Sequence, residues 1–290
     1  MHPGTHAFWV IANGLCRDFI DAFTQEVPEF DDRDVALGRE GSVSASSIYI
    51  DNLTKTYDDI KAVDGLSLEV GGGELFGLLG PNGAGKTTVI NVLCGLLMPT
   101  SGSARIGGFD AVREAGKVRE LIGVCPQETA IFTYLTGKEN VELFGNLQGM
   151  PKMKIRERAD ALLSKMGLSE DANRLAGKYS GGMKRRLSLI LALIHDPSIA
   201  FLDEPTVAMD PQSRLAVWDF VRDLKKRQKT IILTTHHMEE AEELCDRVGI
   251  IDHGKLIALG TPKELIDKCS VKNLEEVFIQ LTGRNMREGM

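Results

Sequence analysis

Leu75-Phe-Gly-Leu-Leu79 followed by Gly80-Pro81-Asn82-Gly83-Ala84-Gly85-Lys86-Thr87-Thr88 decides how this chain folds. The first five residues form a short apolar run of the kind expected of a buried strand. Gly80-x4-Gly85-Lys86-Thr87 matches the phosphate-loop pattern G-x-x-x-x-G-K-[ST]. A helical stretch from Lys86 to about Leu97 follows, stopped by Pro99. In this order of strand, loop and helix, glycines let the backbone curl until several N–H groups point at one phosphate. The helix presents its positive end to the same anion. Lys86 then bridges the β- and γ-phosphates of ATP, and the Thr87 hydroxyl binds Mg²⁺.

Two stretches further along the chain complete such a site. Ile199-Ala-Phe-Leu-Asp203-Glu204-Pro205 is an apolar strand ending in two acids, and charges at the end of a buried strand need a reason. Asp203 is the expected partner of Mg²⁺. Glu204, one residue later, is placed to accept a proton from attacking water. Thr230–Thr234 is another apolar strand, followed by His236 and His237, and one of the pair is expected to meet the γ-phosphate. Spacing alone does not choose between them.

The surrounding chain sets limits. At 290 residues, with 43% hydrophobic and 26% charged residues, it is an ordinary globular composition, long enough for one large domain or two small ones. The net charge of −7 argues against nucleic acid as a partner. Arg17–Glu40 alone holds eight acids and three bases. The five cysteines form no Cys-x-x-Cys pair, which fits a reducing compartment. Leu189–Ile194 is the longest strictly apolar run, far short of the roughly 20 residues a membrane span needs. A secretory signal is not expected either, so membrane work would require another chain.

Residues 1–46 read as an extension, flexible or loosely docked, in which Phe8, Ile11, Leu15, Phe19 and Phe23 fall at helical spacing that Gly14 weakens. From residue 47 to 283 the texture is compact, with a short tail at 284–290. Strands are expected at Ile48–Ile50, Leu66–Val70, Leu121–Cys125 and Val248–Ile251 besides those above. Helices are expected at Pro151–Met166, Met183–His195, Pro211–Arg227 and His237–Cys245. Together this predicts an α/β fold with a parallel sheet and a helical insertion at about 128–196.

The order of these motifs resembles the ATP-binding cassette of ABC transporters, from about Ile48 to Gly283. The resemblance implies a phosphate-loop NTPase fold with a mixed or parallel core sheet, an antiparallel β subdomain and a helical subdomain. Tyr57 matches the aromatic residue that stacks on adenine. Gln127, in Cys125-Pro-Gln127, matches the glutamine that touches Mg²⁺ and faces the membrane subunit. Tyr179-Ser180-Gly181-Gly182-Met183-Lys-Arg185 looks like the family's signature sequence. Ala208-Met-Asp210 looks like the loop that crosses the dimer interface, and His236 aligns with the switch histidine. Tyr179 stands where leucine is frequent, Met183 where glutamine is frequent, and Ala208-Met209 replace a usual Gly-Leu or Ala-Leu.

Ser180, Gly181 and Gly182 offer a hydroxyl, open N–H groups and a helix N-terminus, a second anion site 94 residues after Lys86. The family's solution is a head-to-tail dimer in which one subunit's signature closes on ATP held by the other. The resemblance therefore implies an ATPase, a second ATP-binding subunit of the same or a related kind, and a separate membrane permease. It places the chain at the cytoplasmic face of a membrane, in the drug- and lipid-export branch. An importer-type ATPase is the alternative. A soluble chromosome- or repair-type ATPase would need a long coiled coil between loop and signature, and this sequence holds none there.

Overall fold

The computed structural model describes residues 46–283. The expected extension (Ser46 apart), its short helix and the tail at 284–290 lie outside the described residues. In chain order the first elements are β1 (Ser46–Tyr57), β2 (Ile60–Gly71), β3 (Leu75–Leu79), α1 (Lys86–Leu93), β4 (Ser101–Ile106), β5 (Phe109–Asp110), α2 (Ala115–Leu121) and β6 (Ile122–Cys125). Next come α3 (Gly137–Leu147), α4 (Lys152–Lys165), a 3-10 turn at Ala176–Lys178, α5 (Gly181–Leu193) and β7 (Ile199–Asp203). The chain continues with α6 (Pro211–Lys226), β8 (Thr230–Thr235), α7 (Met238–Leu244), β9 (Arg247–Asp252), β10 (Lys255–Gly260), α8 (Pro262–Cys269) and α9 (Leu274–Thr282).

β2, β1, β4 and β5 form an antiparallel sheet in that order. The other sheet runs β10-β9-β3-β8-β7-β6, parallel except for the antiparallel β9–β10 pair. The α/β class, the mixed core sheet, the antiparallel sheet and the inserted helices are as the sequence implies.

The core sheet is apolar on both faces, as parallel sheets are. Leu75 and Leu79 of β3 join a cluster with Leu202, Leu233 and the helical residues Leu187 and Val217. Phe76 and Leu78 point to the opposite cluster, with Phe201, Ile232, Val89 of α1 and Ile48 of the antiparallel sheet. Full burial of such side chains is worth about 1.5–3 kcal/mol each.

Strand order places the chemistry. β3, β8, β7 and β6 are neighbours and parallel, so their carboxyl ends lie side by side. Leu79 pairs with Thr235, Asp203 with Thr234 and Cys125 with Leu202. The phosphate loop, His236, the Asp203–Glu204 pair and Gln127 each follow one of these strands. Open α/β sheets bind ligands at this edge.

Some expectations change. α1 ends at Leu93 rather than near Leu97, because the chain turns at Gly95 with φ 66° before Pro99 is reached. β4, with four exposed residues in six, escaped notice, as did α8, although Thr261 and Glu264 form a capping box there. No described helix is long and apolar enough to cross a membrane.

Candidate nucleotide site

Backbone close to backbone sets the phosphate loop. A Cβ on Gly80 would overlap the Ile251 carbonyl oxygen, and one on Gly85, at φ 105°, would overlap that of Ala62. Only glycine fits either position. The loop residues Asn82–Thr88 line a cleft of about 250 Å³ with Ala62, Gln127, Asp203 and Glu204. Lys86 is buried and donates to the carbonyls of Gly80 at 2.7 Å and Pro81 at 3.1 Å. Burial pulls its ammonium below the usual lysine value, opposed by the charges of Glu204 and Asp203.

Asp203 is tied down at both oxygens. Thr87 Oγ1 donates to Oδ2 at 3.2 Å, and Thr234 Oγ1 donates to Oδ1. Burial pushes its carboxyl above the usual range against those two bonds. The Thr234 hydroxyl also accepts from the Glu204 N–H at 3.0 Å, so one side chain positions both acids.

Glu204 adopts φ 50°, a left-handed conformation that costs a non-glycine residue energy. The turn brings its carboxylate to the end of β8, where His236 Nδ1 lies 3.2 Å from Oε1. Gln127 Nε2 donates to Oε2 at 3.4 Å. The hydrogen bond to His236 holds the Glu204 carboxyl below its usual range, with burial opposing. His237, whose ring centroid lies 4.2 Å from that of His236, instead uses its N–H to bond Thr235 Oγ1 at 3.0 Å. Of the two histidines, His236 is the one facing the acids.

The hydroxyl, carboxylate and side-chain amide of Thr87, Asp203 and Gln127 are hard donors of the kind Mg²⁺ takes. The 3.2 Å approach of Thr87 to Asp203 gathers two of them at the cleft.

Three sequence-predicted groups are not brought to this cleft. Tyr57 ends β1, 45% exposed, with Lys55 Nζ 5.1 Å from its ring centre. Ser180 caps α5, accepting from the Met183 N–H at 3.3 Å, and Ser180 and Gly181 are exposed. Asp210 caps α6, accepting from the Ser213 N–H at 2.9 Å. None of them lines the phosphate-loop cleft.

Arg185, which the sequence places in the signature without a role, is buried in α5. Its guanidinium donates to the carbonyls of Pro126, Gln127, Asp203 and Glu204, the last at 3.0 Å. The signature helix is thereby pinned to the ends of β6 and β7. A helix-interior arginine on the same face as Leu189 was the available signal. Glu240 of α7 was missed by sequence reasoning. Wholly buried, it bonds the Thr206 hydroxyl at 2.9 Å and accepts from the Trp218 indole at 2.8 Å. Burial pushes its carboxyl up, opposed by hydrogen bonds from Thr235, Thr206 and Trp218. It links the segment after His236 to the loop leading to Asp210.

Ile131 and Phe132 pack against the core below the helical insertion, with Phe132 edge-on to Phe144 at 6.4 Å between ring centroids. Buried Asn140 holds the loop by bonding Phe132 N–H and carbonyl at 2.8 and 3.0 Å. Tyr134, between them and α3, is 92% exposed.

Comparison with known proteins identifies the family and the fold. The family described as ABC transporter matches residues 63–207. Over 220 residues, 76% of this chain and 70% of the relative, the sequence is 46% identical to the daunorubicin resistance ATP-binding protein DrrA3 of Streptomyces coeruleorubidus. A solved ATP-binding subunit of an ABC transporter superposes with a TM-score of 0.76 at 26% identity, covering 82% of this chain and all of that one. A dimeric post-hydrolysis state of an ATP-binding cassette bound to ADP and Pi superposes at 0.69 and 28% identity, covering 74% and 98%.

Proposed function

The chain belongs to the ABC transporter family as an ATP-binding, ATP-hydrolysing cassette, and from that premise we propose that it powers export through a separate membrane permease. In this reading, residues 47–283 form the ATP-binding domain, with a helical subdomain at 128–196, and it works at the cytoplasmic face of the membrane. The observation that carries it is the split between a finished catalytic corner and a signature that faces away. Lys86, Asp203, Glu204 and His236 meet at one sheet edge, while Ser180 and Gly181 stand exposed outside that cleft. A second ATP-binding subunit is needed to bring a signature to the loop.

Each residue then has a task. The N–H groups of Gly80–Thr88 hold the phosphates, and Tyr57 stacks on adenine. Lys86 leaves the carbonyls of Gly80 and Pro81 for the β- and γ-phosphates. Thr87, Asp203 and Gln127 would hold Mg²⁺, which when bound neutralises phosphate charge. Glu204 orients water and accepts its proton, with His236 keeping the carboxylate ionised and aimed and reaching the γ-phosphate end. Asp210 carries the interface loop. ATP favours the closed dimer because both subunits touch its γ-phosphate, and loss of that phosphate removes the differential contact.

Tyr134, 92% exposed in the loop before α3, gives the permease an aromatic handle. The export reading is supported by the resistance relative. An importer-type role has no observation here in its favour.

The test measures Mg-ATP turnover by the purified chain and capture of a co-expressed permease. Glu204→Gln should abolish turnover and retain ATP, and Tyr134→Asp should weaken capture with ATP binding intact. Turnover near the parental rate in Glu204→Gln would refute the role of Glu204. Undiminished capture in Tyr134→Asp would move the docking surface elsewhere.

A further inference from the structure

Two of the signature's departures from the family pattern, Tyr179 and Met183, share a neighbour outside the motif, Arg174. Its guanidinium carbon lies 5.3 Å from the Tyr179 ring centroid. Nη2 sits 3.4 Å from Met183 Sδ and donates to the Lys178 carbonyl at 3.3 Å. Nη1 pairs with Asp171 Oδ1 at 2.9 Å. One arginine therefore touches the signature on both sides of Ser180.

Tyr179 is a rigid platform for it. The ring is buried, and its hydroxyl donates to the Asp171 carbonyl at 2.7 Å. A Cβ on Gly137 would overlap that hydroxyl, so α3 is cut away to admit it. A leucine here would offer no π-face, whereas a fixed tyrosine face holds a guanidinium flat. Met183 contributes only a weak sulfur acceptor where glutamine would bring an amide. The polar group absent from position 183 is supplied from position 174.

Arg174 is also poised to change partners. The side chains of Arg174 and Asp171 are 43% and 33% exposed, an exposed pair of the kind worth little on its own. A guanidinium makes the same charge-assisted, paired bonds to phosphate as to carboxylate, and a triphosphate carries more negative charge than one aspartate. We propose that Arg174 is a further member of the signature half-site. It contacts the triphosphate held by the phosphate loop of a second copy, and Asp171 restrains it until that nucleotide arrives. The proposal rests on the two-subunit reading above.

Its signature is a pair of opposite effects. Arg174→Ala removes the contact, and Asp171→Asn releases the arginine while leaving the backbone carbonyl that takes the Tyr179 hydroxyl. A merely structural ion pair would weaken in the same direction from either side.

The experiment uses the full chain carrying Glu204→Gln, titrated with Mg-ATP in the ultracentrifuge to find the ATP concentration giving half-maximal dimer. Arg174→Ala should raise that concentration about tenfold, the loss of one charge-assisted hydrogen bond. Asp171→Asn should lower it by roughly two- to fivefold. Arg174→Lys should fall between parent and alanine, since an ammonium keeps charge but not the planar fork. Met183→Gln should recover part of the Arg174→Ala loss. Shifts of the same sign in Arg174→Ala and Asp171→Asn, or no shift in either, overturn the proposal. If the Glu204→Gln parent itself stays monomeric with ATP, the two-subunit reading fails and takes Arg174 with it.

Discussion

The corner at the ends of β3, β6, β7 and β8 and the N-terminus of α5 are the two phosphate sites of the proposed function, yet they are held very differently. In the corner, Lys86, Asp203 and Glu204 are buried and each has protein partners. At α5, Ser180 and Gly181 are exposed, with a helix cap as the main local bond. Preorganised dipoles belong where charge develops in the transition state. An open face belongs where a partner must arrive and leave. Arg185 joins the two, since it sits in α5 and bonds backbone carbonyls in the corner. On the function proposed above, the closed region holds the chemistry and the open one controls it.

Changes in the closed region should have the largest effects. Glu204→Gln should slow hydrolysis by about 100- to 10,000-fold, read as steady-state phosphate release, with nucleotide still retained. Arg185→Met should cost about 3 kcal/mol of stability in urea denaturation, because a buried charge and its bonds to four carbonyls disappear together. If the melt is unchanged, Arg185 does not tie α5 to the strands. Ser180→Ala should be milder, lowering turnover about tenfold, the worth of one good hydrogen bond to a charged group. Its retention of fluorescent ATP should match the parent, and a loss there would put the signature in the same chain's site. Smallest is Tyr179→Phe, which removes only the bond to the Asp171 carbonyl and should cost about 1 kcal/mol in the same denaturation.

The two regions also differ in how far they can be read from sequence. Gly80–Thr88 and Asp203–Glu204 are contiguous, so pattern and neighbouring strands were enough. His236 against His237 was not decidable by spacing, because the answer depends on the φ 50° turn that swings Glu204 toward β8. Arg185 acts through backbone carbonyls up to 59 residues away, and backbone acceptors leave no mark in a sequence. Glu240 joins Thr206 to Trp218 across two elements, which only the packing of α6 against α7 creates. The β4–β5 hairpin was hidden for another reason. Ser101–Ile106 faces solvent over much of its length and lacks the apolar alternation that marks a strand. At the signature, Tyr179 and Met183 were legible as departures, but their common neighbour Arg174 was not.

Sedimentation of the Glu204→Gln chain tests the half-site most directly. Monomer without nucleotide, dimer with Mg-ATP, and monomer again when Gly181→Glu places a carboxylate at the α5 N-terminus is the result this account predicts. A chain that stays monomeric with Mg-ATP, or a dimer that survives Gly181→Glu, would contradict it.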